Sequence, residues 1–191
     1  MSLKFTRSKT EEHYFTSDYH WGHTNVLKYD GRPFESIENH DKYIVECHNR
    51  VVRPTDHLWF LGDLSLGDLK EAELMLRDMN GIKHFIKGNH DHNETIDIYK
   101  RCGIYHGEQI TIVIDGQKII LNHCRMYVWP NSHHGSWNVH GHSHGTLDNA
   151  PWGKSMDVCI AIRHYYPISY PGIGTIMTTK DILITDHRRK E

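Results

Sequence analysis

His84-Phe85-Ile86-Lys87-Gly88-Asn89-His90-Asp91 is a short apolar run that stops at a glycine and opens into amide, imidazole and carboxylate groups. Such a run has the length of a buried strand, and a glycine at its exit allows the tight turn or close backbone approach that a Cβ would obstruct. The same arrangement recurs along the chain. Tyr14-Phe15-Thr16-Ser17 leads into Asp18-Tyr19-His20, and Leu58-Trp59-Phe60-Leu61 into Gly62-Asp63. Ile119-Ile120-Leu121-Asn122 leads into His123, and Trp137-Asn138-Val139-His140 into Gly141-His142-Ser143-His144. In α/β proteins the carboxyl ends of parallel strands share one rim, where ligands bind, so five polar clusters placed this way can converge.

Between these runs the pattern alternates. Ser36 reads as the N-cap of a helix over 37–52 that Pro54 ends. Leu69–Met79 is rich in good helix formers and stops at Asn80-Gly81, and a shorter helix is expected over 94–101. Gln109–Ile114 and Gln117–Leu121 flank Asp115-Gly116, a strong hairpin signal. Strands are expected near 138–140, over 155–162 and over 174–179, the last pairing with 182–185. Met1-Ser2-Leu3 reads as a vector-derived remnant on a polar leader. Tyr127, Trp129, His133, His134 and Trp137 read as a loop packed over the domain, with base stacking as the other reading. Lys9 and Arg188-Arg189-Lys190 read as solvated ends. Helices in the first half and strands in the second make an α/β sandwich with mixed sheets, one domain over 1–191.

Composition narrows the function. The chain has 191 residues, net charge −2 and 18 histidines spread from His13 to His187. That charge offers no general field for a nucleic-acid backbone. No run approaches the ~20 apolar residues of a membrane span, and no secretory signal pattern opens the chain, so a cytoplasmic protein is expected. Cys47, Cys102, Cys124 and Cys159 form no closely spaced pair and read as free, mostly buried thiols, which excludes a zinc ribbon. Metal ligands would then be imidazole and carboxylate. Asp18, His20, Asp63, Asn89, His123, His142 and His144 are too many donors for one tetrahedral ion. They suit two divalent ions sharing a carboxylate, Mn²⁺ foremost and Fe, Zn²⁺ or Ni²⁺ next. Two ions about 3.5–4 Å apart can hold a hydroxide between them and clamp a phosphoryl group during in-line displacement.

In order and wording these blocks resemble the calcineurin-like metallophosphoesterases, through Asp18-x-His20, Gly62-Asp63, Gly88-Asn89-His90-Asp91, His123 and Gly141-His142-x-His144. Ser17-Asp-Tyr-His-Trp-Gly-His23-Thr-Asn25 is similar to the opening of small bacterial and phage-type members. The resemblance implies a four-layer α/β/β/α sandwich with two mixed sheets. It implies a first ion on Asp18, His20, Asp63 and His144, and a second on Asp63, Asn89, His123 and His142. His90 would protonate or stabilise the leaving oxygen, with Asp91 orienting its ring. His23 and Asn25 would line the phosphate pocket, and Arg125 is a further candidate phosphate contact. Asp157 would support the site from behind. Leu66 and Cys124 depart from the protein-phosphatase pattern and argue against a Ser/Thr phosphatase. The expected function is a metal-dependent phosphatase or phosphodiesterase acting on a small, nucleotide-like phosphorylated substrate. The alternatives are a non-catalytic metal-binding interaction module on the same fold and a metal-dependent nuclease.

Overall fold

The computed structural model describes residues 2–8, 10–147 and 153–182. Lys9, the stretch 183–185 and Arg188-Arg189-Lys190 lie outside the described residues. In chain order the elements are β1 (Ser2–Phe5), β2 (His13–Thr16), α1 (Thr24–Tyr29), α2 (Ile37–Val51), β3 (His57–Phe60), α3 (Leu69–Asp78), β4 (Ile82–Phe85) and α4 (Asn93–Cys102). There follow β5 (Ile104–Tyr105), β6 (Gln109–Ile114), β7 (Gln117–Asn122), β8 (Trp137–His140), β9 (Ser155–Asp157), β10 (Ile168–Ser169) and α5 (Tyr170–Thr178).

The strands form two five-stranded sheets, β10-β2-β3-β4-β5 and β1-β6-β7-β8-β9. β2 through β5 are parallel, as are β7, β8 and β9, so both sheets present strand carboxyl ends. Burial on both faces explains the uninterrupted apolar runs of the first sheet. Trp59, Leu61 and Ile86 face the other sheet, where Ile119, Leu121, Val139 and Met156 meet them. Phe60 and Phe85 face the opposite way, against Ile44 of α2, Leu76 of α3 and Tyr99 of α4. Ser36 caps α2 by accepting a hydrogen bond from the Asn39 amide. The hairpin turns at Asp115 and Gly116 with φ of 49° and 82°, the left-handed pair a type I′ turn needs.

Four expectations are corrected. Residues 2–5 are not a bare polar leader: Ser2 to Phe5 add an edge strand parallel to β6, in register with Thr111 to Ile114. The strand expected over 174–179 is a helix. Ser169 caps it through the Gly172 amide, Pro171 sits in its first turn where a missing N–H costs nothing, and Ile173 and Met177 fall on one buried face. The strand expected over 155–162 ends at Asp157, whose carboxylate accepts from the Cys159 amide before Ile160–Arg163 close a 3-10 turn. The fourth layer of the sandwich is also absent among the described residues, because α5 packs into the core between the sheets instead of over the second sheet's outer face. On that face Asn138 is met by the amide of Met126, and Trp129 is buried with its indole donating to Ser136 O, so this part of the segment packs as a loop, while Tyr127 is exposed and Trp137 opens β8 in the core between the sheets.

Four histidines that no motif explained form a row across the first sheet. His57 Nδ1 is 2.9 Å from His84 Nε2, and His84 Nδ1 is 3.0 Å from His106 Nε2. His13 stacks on His57 with ring centroids 4.6 Å apart and accepts from Trp59 Nε1. Burial lowers His13 to a pKa of about 4 and His84 to about 3, and lowers His57 and His106 as well. The unfolded chain therefore takes up protons below about pH 6.5 that the folded cluster refuses until about pH 4. Stability from these groups is complete above ~6.5 and is lost as pH falls through that interval. Thermal unfolding followed from pH 6.5 to 4.5 should show a falling midpoint, and His84→Phe, which keeps a ring against Trp59, should flatten the slope.

Candidate metal centre

Five of the predicted donors occupy backbone conformations that side chains usually avoid. Asp18, His20, Asp63, His142 and His144 have φ of 59°, 53°, 60°, 66° and 45°. Aspartate and histidine tolerate this region better than most residues, and such strain persists only where the surroundings impose it, typically at functional sites. Past the strand ends, the amides of Asp18 and His20 donate to the carbonyls of Gly62 and Asp63, which zips the first two turns together. Gly88 and Gly141 permit the remaining approaches. A Cβ on Gly88 would overlap the Asp63 carboxylate and amide, and one on Gly141 would overlap Ser17 Oγ and Asp18 Oδ2.

The result is a buried group of facing lone pairs. His20 Nε2 lies 3.3 Å from His144 Nε2, 4.0 Å from Asp18 Oδ1 and 3.9 Å from Asp63 Oδ2. His144 Nε2 is 3.5 Å from Asp18 Oδ1. On the other side of Asp63, the same Oδ2 is 3.3 Å from His123 Nε2, which is 2.8 Å from Asn89 Oδ1. Donor atoms spaced this way suit a cation bonded at about 2.0–2.2 Å to nitrogen and oxygen. His142 donates its amide to Asp18 while its exposed ring stands 5.2 Å, centroid to centroid, from that of His123.

Neighbouring groups fix which nitrogen faces inward. His144 Nδ1 is 2.8 Å from Asp30 Oδ2, and His123 Nδ1 is 2.7 Å from Leu61 O, so in each ring Nε2 is left for the centre. Without a cation the electrostatics are those of trapped protons. Burial opposes charge on His123, but hydrogen bonding to Asp63 outweighs it and raises the pKa to about 9. Burial likewise opposes charge on His144, and Asp18 and Asp30 raise it to about 10. Burial would raise Asp18 and Asp63, yet His144 and His123 respectively hold them below the usual carboxylate range. His20, where desolvation dominates, is lowered to about 4. Cation binding must displace these protons, so affinity rises with pH.

His90 and Asp91 part company. The His90 amide donates to Asp63 Oδ1, and its exposed ring lies 5.9 Å from that of His20. The ring of His23 is 6.3 Å from His20, on the same side. Asp91 does not orient the His90 ring, because both its oxygens are taken: Oδ2 accepts from the amides of Asp63 and Gly88 and from Tyr99 OH, and Oδ1 from the Leu64 amide. Asn25 is exposed on the first turn of α1, and Arg125 Nη1 donates to Leu147 O at 3.4 Å. Asp157 supports the site as expected, accepting from Ser143 Oγ and the Gly145 amide in the loop that carries His142 and His144.

Three participants were missed by sequence reading. Buried Arg32 donates to the carbonyls of Asp18 and Tyr19 and to Asp30, which in turn orients His144. Of the thiols expected to be mostly buried, Cys47 and Cys159 are buried, Cys102 is half-buried and Cys124 is exposed, its Sγ within 4.8 Å of ligand atoms of His123 and His142.

Two substitutions probe this construction. Asp91→Ala leaves three buried amides without an acceptor and should lower the unfolding free energy by about 3 kcal/mol or more in urea denaturation. Asp30→Asn should weaken divalent-metal affinity about 10- to 100-fold in a chelator competition.

No family model matches the chain. It is 34% identical over 164 residues to the uncharacterized protein MJ1445 of Methanocaldococcus jannaschii, covering 82% of this chain and 85% of that one. The gene 66 protein of Mycobacterium phage D29 is 27% identical over 181 residues, covering 81% and 89% of the two chains. Among solved structures, that of AQ665, a protein of unknown function from Aquifex aeolicus, superposes with a TM-score of 0.70 over 87% of this chain and 99% of the other. At 20% identity that likeness speaks for the α/β fold alone. The extent and identity of the first match establish kinship: the chain belongs to the family of the Methanocaldococcus jannaschii protein MJ1445.

Proposed function

We propose that the chain is a dinuclear metal-dependent phosphoesterase of calcineurin-like type, hydrolysing a phosphomonoester or phosphodiester of a small substrate. The observation that carries this reading is the position of Asp63, whose Oδ2 stands 3.9 Å from His20 Nε2 and 3.3 Å from His123 Nε2, between two imidazole-carboxylate groups. A carboxylate so placed is suited to serve both. Asp18, His20, Asp63 and His144 would hold one divalent ion, and Asp63, Asn89, His123 and His142 the other. Bound there, the pair would supply an activated water at neutral pH and neutralise the charge of a phosphoryl group.

The chain's own residues account for the rest. His90 is anchored through its amide to Asp63 and leaves its ring exposed on the side of His20, where it can deliver a proton to the departing oxygen. Asp91 acts one step further back, holding the turns of Asp63 and Gly88 against each other. His23, beside the same rim, is lowered by partial burial and then by His90, and it is available as a neutral hydrogen-bonding group for a phosphate oxygen.

The chain loaded with Mn²⁺ should bind about two ions by elemental analysis and hydrolyse members of a phosphomonoester and phosphodiester panel. Asp63→Asn should abolish this turnover. His90→Ala should lower kcat about 10²- to 10⁴-fold, most for poor leaving groups, while metal content is unchanged. Absence of metal-dependent turnover across the panel overturns the proposal.

A further inference from the structure

Next to the metal centre, sharing His144 with it, lies a cleft of about 790 Å³. Its walls are unusually aromatic. Phe34 packs edge-on against Tyr165 at 4.9 Å and 84°, Tyr43 meets Tyr165 at 5.7 Å and 74°, and Phe34 and Tyr43 are 5.4 Å apart. Tyr29 joins the lining while 75% exposed, a ring held out in water. Ile162 adds apolar surface. The wall is also strained: His164 and Tyr165 are consecutive non-glycine residues at φ of 54° and 66°. Residues are kept there only when the surroundings over-determine them, and here the strained pair carries a cleft ring.

The charges lining the cleft say what it would refuse. No lysine or arginine is among its described lining residues, so a second phosphate would meet only His144, already paired with Asp30, and His164 as basic side chains. Its one carboxylate, Asp30, is already engaged by His144 and Arg32, which leaves few acceptors for the hydroxyls of a bare sugar. A flat ring loses little solvation and gains stacking on such walls.

We infer that this cleft seats the organic arm of the phosphoester and that the arm carries a planar aromatic ring. The inference rests on the phosphoesterase reading for its placement of phosphate at the metal centre. The ring can belong to a nucleobase, reached across a sugar, or to an aryl group bonded directly to the ester oxygen, and the two differ in the distance from ring to phosphate.

Calorimetric titration of the Mn²⁺-loaded full chain carrying His90→Ala, which keeps its metal content and turns ligands over slowly, tests it with adenosine 5′-monophosphate, phenyl phosphate and glycerol 3-phosphate. At least one ring-bearing ligand should bind about 5- to 100-fold more tightly than glycerol 3-phosphate, the range expected for one stacked ring. That advantage should shrink in Tyr43→Ala and in Tyr29→Ala, two outward positions whose urea midpoints should stay near that of the wild type. Preference for adenosine monophosphate identifies the nucleobase, and preference for phenyl phosphate identifies the aryl ester. Equal affinity for all three ligands, or an advantage untouched by both substitutions, overturns the inference. The two readings fail separately. Hydrolysis of glycerol 3-phosphate as fast as of the others, unaffected by Tyr43→Ala, removes the ring site and keeps the phosphoesterase. Tyrosine-dependent ring binding without metal-dependent turnover on any ester keeps the ring site and removes the phosphoesterase.

Discussion

The carboxylate of Asp91 is buried where β3 and β4 end, and it accepts hydrogen bonds from three backbone amides and one tyrosine hydroxyl. Those amides belong to Asp63, Leu64 and Gly88, at the exits of two adjacent strands. Tyr99 comes from α4, so the same group also fixes the helix that follows. Burial raises its pKa, and the donors converging on it act against that rise. Asp63 can stand between His20 and His123 only because its own backbone is held this way, and His90 follows because its amide is bonded to Asp63. The geometry of the rim thus depends on one anion that never faces it.

A second support comes from the opposite side. Arg32 is buried behind the Asp18 turn, holds two of its carbonyls, and joins Asp30, whose carboxylate reaches His144 on the far sheet. Asp157 braces the loop of His142 and His144 from within its own sheet. Donors from two sheets therefore meet at distances set by groups standing behind them, an arrangement that would preorganise a cation site.

Much of this was legible in the chain because the information is local. An apolar run, a glycine and a polar cluster describe a strand exit wherever they occur, and Ser36 and Asp115-Gly116 announce α2 and the hairpin by chemistry confined to a few residues. What escaped is non-local or was masked by propensity. Ser2–Phe5 is a strand only because Thr111–Ile114 lie beside it, a partnership more than a hundred residues distant. Thr175, Ile176, Thr178 and Thr179 are β-branched and favour a strand by composition, and the cap at Ser169 with Pro171 decides otherwise. Asp30 and Arg32 reach the centre by folding alone, whereas Cys124 comes to it as the chain neighbour of His123. The histidine excess divides in the same way: a group at the rim was readable from its neighbours, whereas His13, His57, His84 and His106 acquire a common role only when the sheet lines them up.

The left-handed turns at Asp18, His20, Asp63, His142 and His144 also bear on how such a chain can drift. Few residue types sit in that conformation without penalty, chiefly glycine and asparagine, with aspartate and histidine next. Three of those four are also electron-pair donors. The alphabet allowed by the backbone and the alphabet useful to a cation nearly coincide, so neutral change at these sites would pass through asparagine, aspartate or histidine more readily than through valine or leucine. A lineage in which these turns held no cation would still be steered toward residues able to take one up.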